Sequence, residues 1–198
     1  MAVKGIPGHR ERQALATKAQ VAAAARRLFA EQGYVATTIA AISAAAEIPA
    51  QTIYSAFGNK AAILGEISKT WMRDAETRRL SDDALTADDP IDRLRQTAHW
   101  HRRQFEAGYD VIVIYQEAAR ADPAMAEEMR RVWAAREHEL TKYLAAFEGE
   151  LKVTAERALD ILLACTVPEA YRTLVIERGW SLDEYEAWLG DALIAQLL

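Results

Sequence analysis

The chain has 198 residues, room for one large domain or a small one fused to a larger one, and a formal net charge of −5. No apolar run approaches a membrane span, and the N-terminus lacks a basic-then-apolar leader. A single cysteine excludes an internal disulfide, so a reducing cytoplasm fits. Low Gly and Pro with abundant alanine favours helix.

The charge is uneven. Residues 1–60 hold seven Lys/Arg against three Glu, a balance of +4, which leaves −9 on the remaining 138. A basic module on an acidic body suits a DNA-binding head on a regulatory domain, with an affinity that falls steeply with salt.

Residues 1–12 read as a flexible arm, either a phosphate- or groove-touching extension or a disordered tail. A first helix is predicted from Arg12 to Gln32. Its inner stripe is Val21, Ala25, Leu28 and Phe29, and Gly33 is its C-terminal cap. Arg26 and Arg27 read as solvated charge.

Thr37 to Lys60 spells two short helices around a tight turn. Ile39, Ile42 and Ala46 make one apolar face, and Thr37 or Thr38 can cap it. Pro49 suits the first position of the second helix, which runs to about Ala56 and buries Ile53 and Phe57. Its other face carries Ala50, Gln51, Thr52, Tyr54 and Ser55, with no charge. Small residues let a helix enter the major groove, where Gln, Thr and Ser can bond base edges. Thr38, Tyr54 and Lys60 complete the candidate DNA contacts, the latter two at phosphates. These residues by themselves leave open a plain helical hairpin with a polar outside.

Phe29-Ala30-Glu31-Gln32-Gly33-Tyr34, Thr37-Thr38-Ile39, Ile42, Ile48, Thr52-Ile53-Tyr54, Phe57 and Asn59-Lys60 resemble the DNA-binding domain of TetR-family transcriptional regulators. The resemblance implies an all-α dimer of about nine helices. A three-helix domain with a helix-turn-helix, residues 1–58, would precede a larger effector-binding and dimerisation domain, residues 59–198. Two positions depart from the family pattern. Glu47 stands where a turn glycine is usual, so a left-handed residue there would be strained. Ala56 stands where many members carry an aromatic.

A fourth helix is expected from Asn59 toward Arg79 on Ile63, Leu64, Ile67 and Trp71, then an acidic loop at Ser81–Asp89. Pro90 opens a helix ending at Gly108, with the stripe Ile91, Leu94, Ala98, His101 and Phe105. His99 and His101, at i and i+2, make a poor metal pair. Val-Ile-Val-Ile-Tyr at 111–115 has strand propensity, but a lone strand would leave its backbone unpaired, and the resemblance places a helix there. Asp122-Pro123 starts a helix to about Glu148, on Met125, Met129, Val132, Leu140, Tyr143 and Phe147. Thr154 caps another, running to Arg178 with a kink at Pro168. Ser181 and Glu184 form a capping box for the last helix, with Trp180 and Tyr185 as its staple.

A cavity in the central body would draw on Trp71, His101, Phe105, Tyr109, Tyr115, Glu117, Trp133, Cys165, Glu169 and Tyr171. This mixture of aromatics and acid would suit a flat or cationic apolar effector. The resemblance pairs the last two helices with their copies in a homodimer, through Leu163, Val167, Leu174, Tyr185, Trp188, Leu189 and Leu193. No phosphate loop, metal-ligand cluster or nucleophile elbow supports an enzyme, and no cofactor or metal is expected. The readings are a ligand-released repressor on double-stranded operator DNA, a scaffold enzyme, and a protein-interaction module. No membrane partner is expected.

Overall fold

The computed structural model describes residues 8–72, 75–147 and 149–198. Every regular element among them is helical. The chain divides into two units: one runs to Thr70 and takes back Val113–Ala126, and the other holds Trp71–Ile112 and Glu127–Leu198.

The first unit begins with α1 (His9–Gln32), α2 (Ile39–Ala46) and α3 (Ala50–Phe57). Of the expected arm, residues 9–12 are already helical, and residues 1–7 lie outside the described residues. Val21, Ala22, Ala25, Phe29, Ile42, Ala46 and Ile53 are buried in this unit with Ile63, Leu64 and Ile67 of α4 (Lys60–Met72). Thr38 caps α2, its hydroxyl accepting the Ala41 amide at 3.1 Å. Thr37 is buried and donates to the Gly33 carbonyl at 2.7 Å. The turn to α3 closes with Ile48 N–H on the Ser43 carbonyl and Glu47 N–H on the Ala44 carbonyl, the two bonds of a Schellman ending. That ending demands a left-handed residue, and Glu47 supplies it at φ 52 and ψ 34. Whether α4 continues toward Arg79 falls partly on residues 73 and 74, outside the described residues.

The second unit departs from expectation in two places. The stretch expected as an acidic loop lies largely within α5 (Ala75–Thr86). Leu80 and Ala84, four apart, are buried, and burial overrides the weak helix propensity of the Asp and Ser around them. The two helices expected on either side of Gly108 are present, broken by a kink where Gly108 has non-helical dihedrals, and are labelled together α6 (Pro90–Ala121). The strand-like Val-Ile-Val-Ile run is therefore helical, and α6 crosses from the second unit into the first.

The second departure is at Pro168. α7 (Pro123–Ala145) stops short of the end expected near Glu148, a residue outside those described. α8 (Ala155–Cys165) then ends, Thr166 and Val167 leave helical geometry, and Pro168 begins α9 (Pro168–Tyr171). Proline lacks the amide that would continue α8, so the chain restarts instead of kinking. A π-helical turn over Arg172–Glu177 leads to Gly179 at φ 73 and then to α10 (Leu182–Leu197). The capping box is present: Ser181 Oγ accepts the Glu184 amide, and the Glu184 carboxylate accepts the Ser181 amide at 2.7 Å. Trp180 meets Trp188, ring centroids 6.4 Å apart. The core of this unit runs from Leu94, Ala98 and Phe105 through Leu140, Tyr143 and Phe147 to Leu162, Tyr171, Tyr185, Leu189 and Leu193.

Candidate nucleic-acid interface and effector site

α3 is anchored by a buried Ile53, with Ala56 and Phe57 half-buried beside it, and presents one polar face. Ile53 is 1% exposed, while Gln51, Thr52, Tyr54 and Ser55 are exposed and Ala50 is half-buried. Tyr54 is 49% exposed, a large aromatic held in water beside polar neighbours. Ser55 Oγ donates to the Gln51 carbonyl at 2.9 Å within the helix. The outward face is therefore uncharged, narrow, and rich in hydroxyl and amide groups. Thr38, exposed at the start of α2, already uses its oxygen as a cap.

Lys60 sits differently from a free phosphate-seeking lysine. Its ammonium donates to the carbonyls of Tyr34 at 2.6 Å, Val35 at 3.3 Å and Thr37 at 2.9 Å, and lies 4.3 Å from the Tyr34 ring centroid. Burial lowers its pKa, opposed by the charge of Glu117. Glu117, an effector candidate by sequence, takes the amides of the same turn: Tyr34 N–H at 3.0 Å and Val35 N–H at 3.1 Å. Those two amide bonds hold its carboxyl below the usual range. Gly33, at φ 87, makes room, since a Cβ there would stand 3.0 Å from the Glu117 carboxylate. Glu117 and Tyr115 belong to the first unit, and the aromatic group to the second.

That group gathers around Tyr171. Its ring lies 5.3 Å from those of Phe105, Tyr109 and Tyr185. His101 adjoins at 6.5 Å from Phe105 and is 2% exposed. Its Nδ1 bonds the Thr97 carbonyl at 2.9 Å, and its pKa is lowered to about 4 by burial and by the charge of Arg136. The imidazole is thus neutral, with its Nδ1 as donor. Cys165 is half-buried, its thiol pKa raised by burial. Glu169 is exposed, and Trp133 lies beneath the Arg136 guanidinium. Trp71 packs its indole on Gly108 and donates to the Gln104 carbonyl at 3.2 Å.

The dimer residues divide by burial. Tyr185, Leu189 and Leu193 are 0% exposed within a single chain, which corrects their assignment to an outer face. They lie on the inner side of an amphipathic helix whose stripe faces the chain's own core. Leu163, Val167, Leu174 and Trp188 keep partial exposure, and Ile176 on the π-helical turn is 60% exposed.

Sequence reading missed Arg136 and the turn-closing work of Lys60 and Glu117. Arg136 had a signal: it occupies a core position on the α7 stripe 129, 133, 136, 140, 143. Lys60 and Glu117 had none, because their partners are backbone groups. Among the described residues, no group of three or more His, Cys, Asp or Glu is placed to hold a metal ion, and no helix is long and apolar enough to cross a membrane.

The family model for bacterial regulatory proteins, tetR family, matches residues 21–67, from α1 into α4. No curated protein matches the chain in sequence. Among solved structures, the TetR-family transcriptional regulator PfmR from Thermus thermophilus is similar at TM-score 0.69 and 22% identity, over 90% of this chain and 98% of that one. The regulator FadR from Bacillus subtilis, in complex with stearoyl-CoA, is similar at TM-score 0.74 and 20% identity, over 89% and 97%. A protein from Saccharomonospora viridis in complex with choline is similar at TM-score 0.71 and 17% identity, over 92% and 98%. At such identities the likeness is one of fold. Residues 21–67 thus match the tetR-family model, and the chain over 90% of its length shares the fold of a solved TetR-family regulator.

Proposed function

We propose that the chain is a homodimeric, sequence-specific DNA-binding transcription regulator, a repressor released from a palindromic operator by a small apolar or aromatic effector. The observation that carries the reading is the uncharged, exposed face of α3, borne on a buried Ile53 inside the segment that matches the tetR family. Ala50, Gln51, Thr52 and Ser55 would enter the major groove, with Tyr54 and Thr38 at the phosphates. Lys60 would hold the 34–37 turn in place, and reach a phosphate only by giving up its carbonyl partners.

Residues 1–58 serve as the reading head and 59–198 as the effector and dimerisation domain. Leu163, Val167, Leu174 and Trp188, with Ile176, leave apolar surface on α8 to α10 that suits pairing with a second copy. A twofold dimer presents two reading helices to two half-sites. The effector would sit near His101, Phe105, Tyr109 and Tyr171, with Trp133 and Cys165 nearby. A non-enzymatic, cytoplasmic role belongs to this reading.

The test is fluorescence anisotropy with duplexes tiled across the DNA upstream of the chain's own gene, run beside a sedimentation measurement of oligomeric state. One duplex should be bound by a dimer, with affinity falling on the order of a hundredfold or more between 50 and 200 mM salt. A monomer indifferent to every duplex would overturn the proposal.

A further inference from the structure

Arg136 is a cation on an apolar stripe. Its guanidinium stacks over Trp133, 5.3 Å from the ring centroid. One nitrogen, Nη2, donates to the Thr166 hydroxyl at 2.5 Å and the Thr166 carbonyl at 3.2 Å, at the break between α8 and α9. Nε and Nη1 donate to nothing among the described residues, and no carboxylate there pairs with the charge. Burial lowers its pKa, and no acid opposes that shift. Its neighbour His101 is buried, neutral, and already bonded to Thr97.

A guanidinium partly withdrawn from water without a counter-charge, its two unengaged donors still open to solvent, is placed to receive an anion. The two unengaged donors lie on the same planar fork, the geometry that meets a carboxylate or phosphate in a bidentate pair. Beside it stand the indole of Trp133 and, close enough to feel its charge, His101, whose ring in turn meets Trp100 at 4.6 Å and Phe105 at 6.5 Å. Of the acids that sequence would set beside these rings, Glu117 holds the 34–35 turn, and Glu169 is exposed with its charge acting on Tyr109. The relatives crystallised with choline and with stearoyl-CoA leave the sign of the effector's charge open, and Arg136 favours an anion.

We propose that the effector is an organic anion, its carboxylate or phosphate paired with Arg136 and its apolar body laid along Trp133, His101 and Phe105. This deepens the effector reading above and rests on it. A cationic effector would meet Arg136 with like charge and is excluded by the same argument.

The test uses the full-length protein and calorimetric titration with five probes. Decanoate and 2-naphthoate are each compared with the corresponding neutral amide, and decyl phosphate separates a phosphate preference from a carboxylate one. At least one acid should bind about tenfold or more tightly than its neutral counterpart, as expected for charge-assisted bonds. Arg136→Met should bring acid and amide to within about threefold, and Arg136→Lys should keep part of the difference by keeping the charge. Without ligand, Arg136→Met should melt no lower than the parent, whereas an arginine that merely caps α8 would cost stability when removed. Acids and amides binding alike, no acid binding at all, or a preference that survives Arg136→Met would each overturn the proposal. The wild-type comparison decides even if the methionine variant fails to fold. Duplex binding measured without probe separates the two readings. DNA bound without acid preference removes only this inference, and acid preference without DNA binding removes only the regulator.

Discussion

The Glu117 carboxylate and the Lys60 ammonium hold opposite polarities of one turn. Glu117 accepts the amides of Tyr34 and Val35, and Lys60 donates to the carbonyls of Tyr34, Val35 and Thr37. The turn joins α1 to α2, so it sets how the helix-turn-helix leaves the first helix. Glu117→Ala should cost about 1–2 kcal/mol and Lys60→Met a similar amount, as lost bonds to a charged group. The double variant should fall short of the sum, since both act on the same three residues. Urea denaturation checks both statements. Glu117 has a lowered pKa, so its contribution is present above the ordinary carboxylate range and disappears as pH falls through the lowered value. Glu117→Gln should flatten that acid limb.

Glu47 is the only non-glycine with positive φ among the described residues. A left-handed conformation costs an L-residue roughly 1–2 kcal/mol, partly offset in a glycine variant by greater unfolded-state freedom. Glu47→Gly should therefore raise stability by about 0.5–1 kcal/mol, read as a higher urea midpoint at unchanged slope. Glu47→Val, branched at Cβ, should lower it.

His101 carries a pH signature. Its folded-state pKa is lowered to about 4, so between about 6.5 and 4 the unfolded chain takes up a proton that the folded chain refuses. Stability from this group is complete above about pH 6.5 and declines as pH drops through that window, by at most about 3 kcal/mol. His101→Gln should remove one proton's worth of slope from the stability–pH curve. Retention of the full slope would assign it to other groups.

Gly108 accommodates Trp71. A Cβ at 108 would lie 2.1 Å from the indole nitrogen, and the indole is itself bonded to the Gln104 carbonyl. Gly108→Ala should cost about 1–3 kcal/mol by overpacking, and the non-helical dihedrals at 108 leave alanine no helix propensity to offset it. A thermal melt of Gly108→Ala beside Trp71→Phe would show whether the clash is the cause, because the smaller ring should relieve it.

The sequence was legible where one residue's chemistry acts on its own neighbourhood. Thr38 as a cap, Ser181 and Glu184 as a capping box, Gly33 and Gly179 as helix ends, and Ile53 as the anchor of α3 could all be read from spacing. So could the strained turn at Glu47, because a helix must end there whatever the residue. Legibility failed where tertiary burial decided. Ser81–Asp89 looks like a loop until Leu80 and Ala84 find a core. Tyr185, Leu189 and Leu193 form a stripe, and a stripe does not say whether the core it meets belongs to the same chain or to a copy. Glu117 and Lys60 were assigned to ligands because charged side chains suggest charged partners, while their partners are amides and carbonyls of one turn.

The account's central claim is that the uncharged face of α3 reads base edges. The direct measurement is binding of the double variant Gln51→Ala/Thr52→Ala to its upstream duplex and to a scrambled duplex of equal length, across a salt series, with circular dichroism to confirm the fold. The account predicts that preference for the upstream duplex falls by about tenfold or more while the slope of affinity against salt stays unchanged, because base contacts go and phosphate contacts remain. An unaltered preference in a folded double variant would contradict it.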